Sequence, residues 1–186
     1  VMDGSKRSAH ANAYFTGFGA SKRVVFFDTL LKQLRAEEVD AVLAHELGHF
    51  KCKHIVKRLI AMFVASLAGF MALGWLSQQA WFFEGLGVVP NVDGIHNALA
   101  LLLFAMVLPL ASELLGPLFA MMSRQHEFEA DAYAARQTSG ADLSSALIKL
   151  YEDNASTLTP DPLYVKFYYS HPPAFERIAG LQAVLG

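Results

Sequence analysis

The sequence predicts a mainly α protein (α+β) with a small β-hairpin and two transmembrane helices, part of a larger multi-span helical protein. Three observations carry this. Two runs are long and apolar enough to cross a bilayer. A segment of helical period just before the first run holds a tight His/Glu cluster. Near the start, two short alternating segments flank a Gly-rich turn.

Composition narrows the class. Of 186 residues, 54% are hydrophobic and only 17% charged, where soluble domains run near about 25% charged. Mean hydropathy is +0.32, which excludes disorder and points to a membrane. A net charge of −2 leaves no electrostatic footprint for nucleic acid. The single cysteine, Cys52, excludes an intrachain disulfide framework and a Cys-rich zinc cluster.

Taken in order, 12–16 alternates as a strand, Gly17, Gly19 and Ser21 make a turn, and 23–27 is the returning strand. Asp28 is expected to cap a brief helix through Leu34. A long helix starts near Ala36, with Glu37 and Glu38 in its first turn, where the macrodipole favours acids. Val39, Val42, Leu43, Leu47 and Phe50 form its apolar stripe, and it is expected to run into the first span. The spans are 59–76 and 98–122. A bilayer core needs about 20 apolar residues.

No Lys or Arg occurs between Arg58 and Arg124, whereas Lys51, Lys53, Lys57 and Arg58 precede the first span. The positive-inside rule therefore puts both flanks in the cytoplasm and 77–97 outside, with Trp81, Phe82 and Phe83 as interfacial anchors. After the second span, 124–138 is an Ala-rich helix stopped by Gly140, Asp142 caps a helix over 143–151, 154–162 is loop, and Pro172 and Pro173 precede a last helix to about Leu185. The chain opens on Val1, and the sequence is taken as part of a longer protein.

The chemistry concentrates in His45-Glu46-Leu47-Gly48-His49. Residues four apart share a helix face, so two imidazoles can meet one metal ion. Glu46 points about 100° away from His45 and can reach a metal-activated water. With seven His in 186 residues, chance would produce HExxH about 0.01 times. Zinc with Glu as proton acceptor is the chemistry this spacing serves. A catalytic zinc needs a third protein ligand. In RQHEFEAD, Glu127 and Asp131 share a face and Glu129 points away. Glu127 is expected to be the ligand, with Glu129 or His126 as alternatives, and Asp131 to accept an imidazole N–H. Five residues past His49, His54 rotates off the ligand face and is expected to belong to the basic flank. Cys52 is expected to pack as a small hydrophobe. Glu113, inside the second run, either lines a wet chamber or caps a helix after Pro109.

The segments GSKRSAHANAYFTGF, RVVFFDTLL, EEVDAVLAHELGHFKCKH, RQHEFEADAYA and SHPPAFERI, in that order, resemble the integral-membrane gluzincins that include the type-1 CAAX prenyl endopeptidases. The resemblance implies a zincin-like fold and a single peptidase domain over 1–186. Its parts are a hairpin and short helix (1–35), the HExxH helix (36–58), the two spans, and a helical C-terminal part with the third ligand (123–186). It implies one Zn2+ per chain on His45, His49 and Glu127, with Glu46 as general base. His171 and Arg177 would contact substrate or the developing oxyanion. Asn12, Ala13, Tyr14 and Phe15 would bind substrate backbone as an edge strand. The partners implied are a peptide or protein substrate, prenylated or not, and membrane lipid. The place implied is a multi-pass position in a membrane (the inner membrane in a bacterium), with the site toward the cytoplasm. Family members carry further upstream spans around the site, which this sequence lacks. The heat-shock-type membrane quality-control proteases share HExxH and the downstream Glu but match the hairpin less well. A non-catalytic zinc-binding scaffold is the alternative of a different class.

Overall fold

The computed structural model describes residues 1–6, 13–16, 23–89, 97–153 and 160–185. It is mainly α. Strands β1 (Ala13–Thr16) and β2 (Arg23–Phe26) pair antiparallel with Ala13 opposite Phe26 and Thr16 opposite Arg23, as the alternation predicts. The helices that follow are α1 (Asp28–Gln33), α2 (Ala36–Lys51), α3 (His54–Leu76), α4 (Ala80–Gly85), α5 (Asn97–Gln137), α6 (Gly140–Asp153), α7 (Pro162–Tyr168) and α8 (Ala174–Leu185).

Two compact units emerge, one built from 1–54 and 118–186, the other from 55–117. The first holds the HExxH helix. Its core joins Ala41 and Ala44 of α2 to Ala134 and Ala135 of α5, Leu143 and Leu147 of α6, and Leu181 of α8. The face α2 buries is Ala41, Val42, Ala44, His45 and Gly48, whereas Leu47 and Phe50 are exposed. The predicted stripe is thus rotated. Small residues let helices approach closely, and closeness rather than side-chain size selects the buried face here. Glu38 is fully buried in this unit and accepts from Arg35 N–H at 2.8 Å, Ser145 Oγ at 2.7 Å and Lys149 Nζ at 2.7 Å. It closes the first turn of α2 and ties α2 to α6.

The second unit holds the apolar lengths of α3 and α5. Both helices are long and apolar enough to cross a membrane. Their apolar stretches stay open, with Phe63 and Phe70 each 70% exposed and Leu114 81%, unlike buried core helices. Phe82 and Phe83 of α4 are buried against Leu73, Leu76, Ala100 and Leu103, which corrects their reading as interfacial anchors. Trp81 alone of the three is exposed.

Several boundaries differ from expectation. The HExxH helix does not run into the first span. It ends at Lys51, Cys52 N–H donates to Gly48 O at 2.9 Å, and Lys53 takes φ 57° before α3 begins. A left-handed residue at this place ends a helix and re-aims the chain. Asp28 is the first residue of α1 and its carboxylate is spent on Ser5 and Lys32, so it caps nothing. Asp142 is not the cap of α6 either; Ser139 Oγ accepts its N–H at 3.3 Å. Gly140 opens α6 rather than stopping α5. Pro109 and Pro117 lie inside a continuous α5, and Glu113 is mid-helix and exposed, so it is no cap. Sequence reading missed α4 and α7. The latter carries its own start signal, Asp161 accepting from Leu163 and Tyr164 N–H with Pro162 next.

Candidate metal centre

Helices α2 and α5 bring the predicted ligands together. Their approach rests on Gly48, which faces the backbone of Ala130. His45 Nε2 and His49 Nε2 stand 3.1 Å apart. Glu127 Oε2 is 3.7 Å from the first and Oε1 is 3.4 Å from the second. One ligand atom from each of the three lies within 4.8 Å of the others. Glu127 is buried and His45 nearly so.

The outer ring nitrogens fix which lone pairs converge. His45 Nδ1 is 2.9 Å from Asp131 Oδ1. A carboxylate only accepts, so the network assigns the proton to Nδ1 and leaves Nε2 its lone pair. His49 Nδ1 is 2.8 Å from His54 Nδ1. Two imidazole lone pairs and a carboxylate aimed at one point are an electrostatic sink that a cation relieves. The donor set, two nitrogens and an oxygen, fits the three protein ligands of a catalytic zinc. Glu46 is half-buried beside the trio and outside it.

Arg177 of α8 is buried and forks onto Asp131, Nε to Oδ2 at 2.7 Å and Nη2 to Oδ1 at 2.5 Å. Its Nη1 is 3.4 Å from Glu127 Oε2. His171 Nδ1 is 3.2 Å from the same oxygen, and its ring is mostly exposed. Two anchors hold the segment bearing His171. Arg124 donates to the carbonyls of Val165, Lys166 and Tyr169 at the end of α7, and Tyr151 OH donates to Pro172 O at 3.0 Å.

Electrostatics follow. Burial penalises the Glu127 and Asp131 anions, yet hydrogen bonds outweigh it and hold both carboxyls below the usual range. For Glu127 the donor is His171, with the Arg177 charge beside it; for Asp131 the donors are Arg177 and His45. Burial pushes the Glu46 carboxyl up, against the pull of His45 and His49. The bond to Glu127 raises the His171 imidazole.

Residues 1–185 match the model of Peptidase family M48. The chain belongs to Peptidase family M48. A CAAX prenyl protease 1 homolog of Taenia solium is 38% identical over 212 residues, covering 100% of this chain and 45% of its own. The CAAX prenyl protease 1 homolog of Arabidopsis thaliana is 39% identical, with coverages of 97% and 42%. CAAX prenyl protease 1 of Saccharomyces cerevisiae is 37% identical, with 99% and 43%. The crystal structure of S. mikatae Ste24p superposes with TM-score 0.80 at 38% identity, over 96% of this chain and 43% of that one. This M48 chain therefore spans less than half the length of these relatives.

Among the residues expected at the site, Asn12 lies outside the described residues, while Ala13, Tyr14 and Phe15 form β1. His54 stays outside the ligand trio, as expected, but it is not part of an exposed basic flank. It is buried, bonded to His49, and 3.0 Å from Glu129 Oε2. An unbroken helix would turn His54 off the ligand face; the break at Cys52–Lys53 turns it back. Neither Glu129 nor His126 joins the ligand trio. His126 stacks on His54 with ring centroids 4.1 Å apart. Half-buried Cys52 sits with its sulfur within 4.8 Å of ligand atoms of His54 and Glu129, a more polar setting than a packing role implies.

Proposed function

We propose that this M48 chain is the catalytic part of a zinc-dependent membrane endopeptidase, a single peptidase domain over 1–186. The convergence of His45 Nε2, His49 Nε2 and the Glu127 carboxylate, with Glu46 beside them and not among them, carries the reading. A purely structural zinc would be closed by four ligands and would need no such carboxylate.

His45, His49 and Glu127 would hold the ion. When bound, zinc polarises the scissile carbonyl and lowers the pKa of water toward about 7. Glu46 takes the proton of the attacking water and passes it to the leaving amine, with no covalent intermediate. Its half-buried carboxyl, raised by desolvation, is a better proton acceptor than an exposed one. His171, exposed beside Glu127, offers a ring N–H to the developing oxyanion. The resemblance puts Arg177 at the substrate. Its burial and its two bonds to Asp131 favour a positioning role, keeping Asp131 and Glu127 ionised and in place. Residues Ala13–Phe15 of β1 have one edge paired to β2; the other can take an extended peptide by β-augmentation.

The substrate class is a peptide segment at a membrane surface. The names of the relatives make a prenylated CAAX peptide the first to try. The site faces the cytoplasm, by the charge asymmetry around the two apolar helices. The test is zinc per chain together with chelator-sensitive peptide cleavage by the intact protein in detergent. Wild type should bind one zinc and cleave, and Glu127→Ala should lose both. Equal zinc in wild type and Glu127→Ala, or zinc-loaded wild type inert toward every peptide tried, would contradict the reading and favour a scaffold.

A further inference from the structure

Both ligand histidines have a second ring nitrogen to satisfy. For His45 the partner is Asp131, as the sequence pattern suggests. For His49 nothing in the pattern supplies one. The structure does so in two steps. His49 Nδ1 meets His54 Nδ1 at 2.8 Å, and His54 Nε2 meets Glu129 Oε2 at 3.0 Å. The protons can be placed one way throughout. Facing the other ligands through Nε2, His49 carries its proton on Nδ1 and donates to His54 Nδ1. His54 then carries its proton on Nε2 and donates to the Glu129 carboxylate, which can only accept.

We propose that His54 and Glu129 form a relay that orients His49 and strengthens it as a ligand, an imidazole interposed between ligand and carboxylate where His45 uses a carboxylate directly. The relay rests on the zinc-centre reading above. Three features support a built device. His54 is 4% exposed, so water does not compete for either nitrogen. Its ring lies flat against His126, with an interplanar angle of 9°, which fixes its plane. The left-handed turn at Lys53 departs from the regular helix and is what brings His54 back toward His49; a non-Gly residue holds that conformation only where its surroundings impose it. Partners of this kind raise ligand basicity and fix the tautomer, and their loss typically weakens metal binding about 10- to 100-fold. His54 is thus a positioning residue that acts through His49.

The same place could instead hold a second cation, since Cys52, His54 and Glu129 offer ligand atoms within 4.8 Å of one another. The relay is favoured because both ring nitrogens of His54 already have partners.

The test uses the intact protein in detergent and measures zinc stoichiometry, zinc affinity by chelator competition, and melting of the zinc-free form. His54→Phe keeps the ring and its stacking but accepts no hydrogen bond. His54→Asn loses the ring but places an oxygen near the lost Nδ1. The relay predicts zinc affinity about 10- to 100-fold weaker in His54→Phe, most of it recovered in His54→Asn, and an intermediate loss in Glu129→Gln. A merely structural role predicts the reverse order, with Phe tolerated and Asn poor in both melting and affinity; that order would overturn the relay. Two zinc ions in wild type, one of them lost in Cys52→Ser, would overturn it in favour of a second metal site. Wild type that binds no zinc would overturn the metal centre and the relay together, whereas a zinc-loaded wild type with unchanged affinity in His54→Phe would overturn the relay alone.

Discussion

Gly48 of the HExxH helix lies against the backbone of Ala130 in α5; a Cβ on Gly48 would stand 3.0 Å from Ala130 Cα and 3.1 Å from its carbonyl oxygen. Gly48 adjoins His49 and Ala130 is three residues past Glu127. This contact therefore sets how far the histidine pair stands from the carboxylate.

Gly48→Ala should weaken zinc binding by more than about tenfold. Alanine gains about 1 kcal/mol of helix propensity, but the atoms it meets are backbone and cannot swing aside. Overpacking of this kind costs about 1–3 kcal/mol, so the helices shift apart or stability falls. Gly69→Ala is the control, since nothing lies within 4 Å of its Cβ position; it should leave zinc affinity unchanged. Chelator competition on both variants decides. Affinity in Gly48→Ala within twofold of wild type would show that the contact does not govern ligand spacing.

Acid should unlock the first unit through Glu38. Burial opposes its charge, but bonds from Lys149, Arg35 and Ser145 prevail and lower its pKa from 4.5 to about 2. The folded value lies below the unfolded one. Its contribution is therefore full above about pH 4.5 and fades as pH falls from there toward 2. Melting followed from pH 6 to pH 2.5 should decline most steeply in that window. Glu38→Gln should lower stability at pH 6 and flatten the decline. An equal slope in the two proteins would remove Glu38 from the account.

The orientation has its own test. Val89 is 84% exposed and follows the first span. Val89→Cys in a Cys52→Ser background should react with an impermeant thiol reagent on intact cells. Reaction only after lysis would place the connecting segment inside and reverse the proposed topology.

Much of this was legible in the residues. HExxH places two imidazoles on one helix face by spacing alone, and the sequence already sets Glu127 on the face it shares with Asp131, where the structure brings it to those imidazoles. The apolar runs declare themselves by length. What escaped depends on particular turns and approaches. His54 reads as off-face only while the helix is continuous, and one left-handed residue, Lys53, undoes that count. Phe82 and Phe83 are as apolar in a core as at a membrane surface, so composition could not separate the two. Arg124 looks like a topology signal, yet its guanidinium is spent on the carbonyls at the end of α7. Arg177 reads equally as a substrate contact or as an ion-pair partner of Glu176 or Asp131, and only the packing of α8 selects the buried fork onto Asp131, 46 residues earlier.

Glu46 is proposed as the base of a zinc-assisted hydrolysis and not as a ligand. Glu46→Gln keeps the side chain's size and a hydrogen-bond acceptor but cannot take a proton at neutral pH. The decisive measurement pairs zinc per chain with single-turnover peptide cleavage, on wild type and Glu46→Gln of the intact protein. One zinc is expected in each, with cleavage slower in the variant by at least about 10²–10⁴-fold. Undiminished cleavage by zinc-loaded Glu46→Gln would contradict that role.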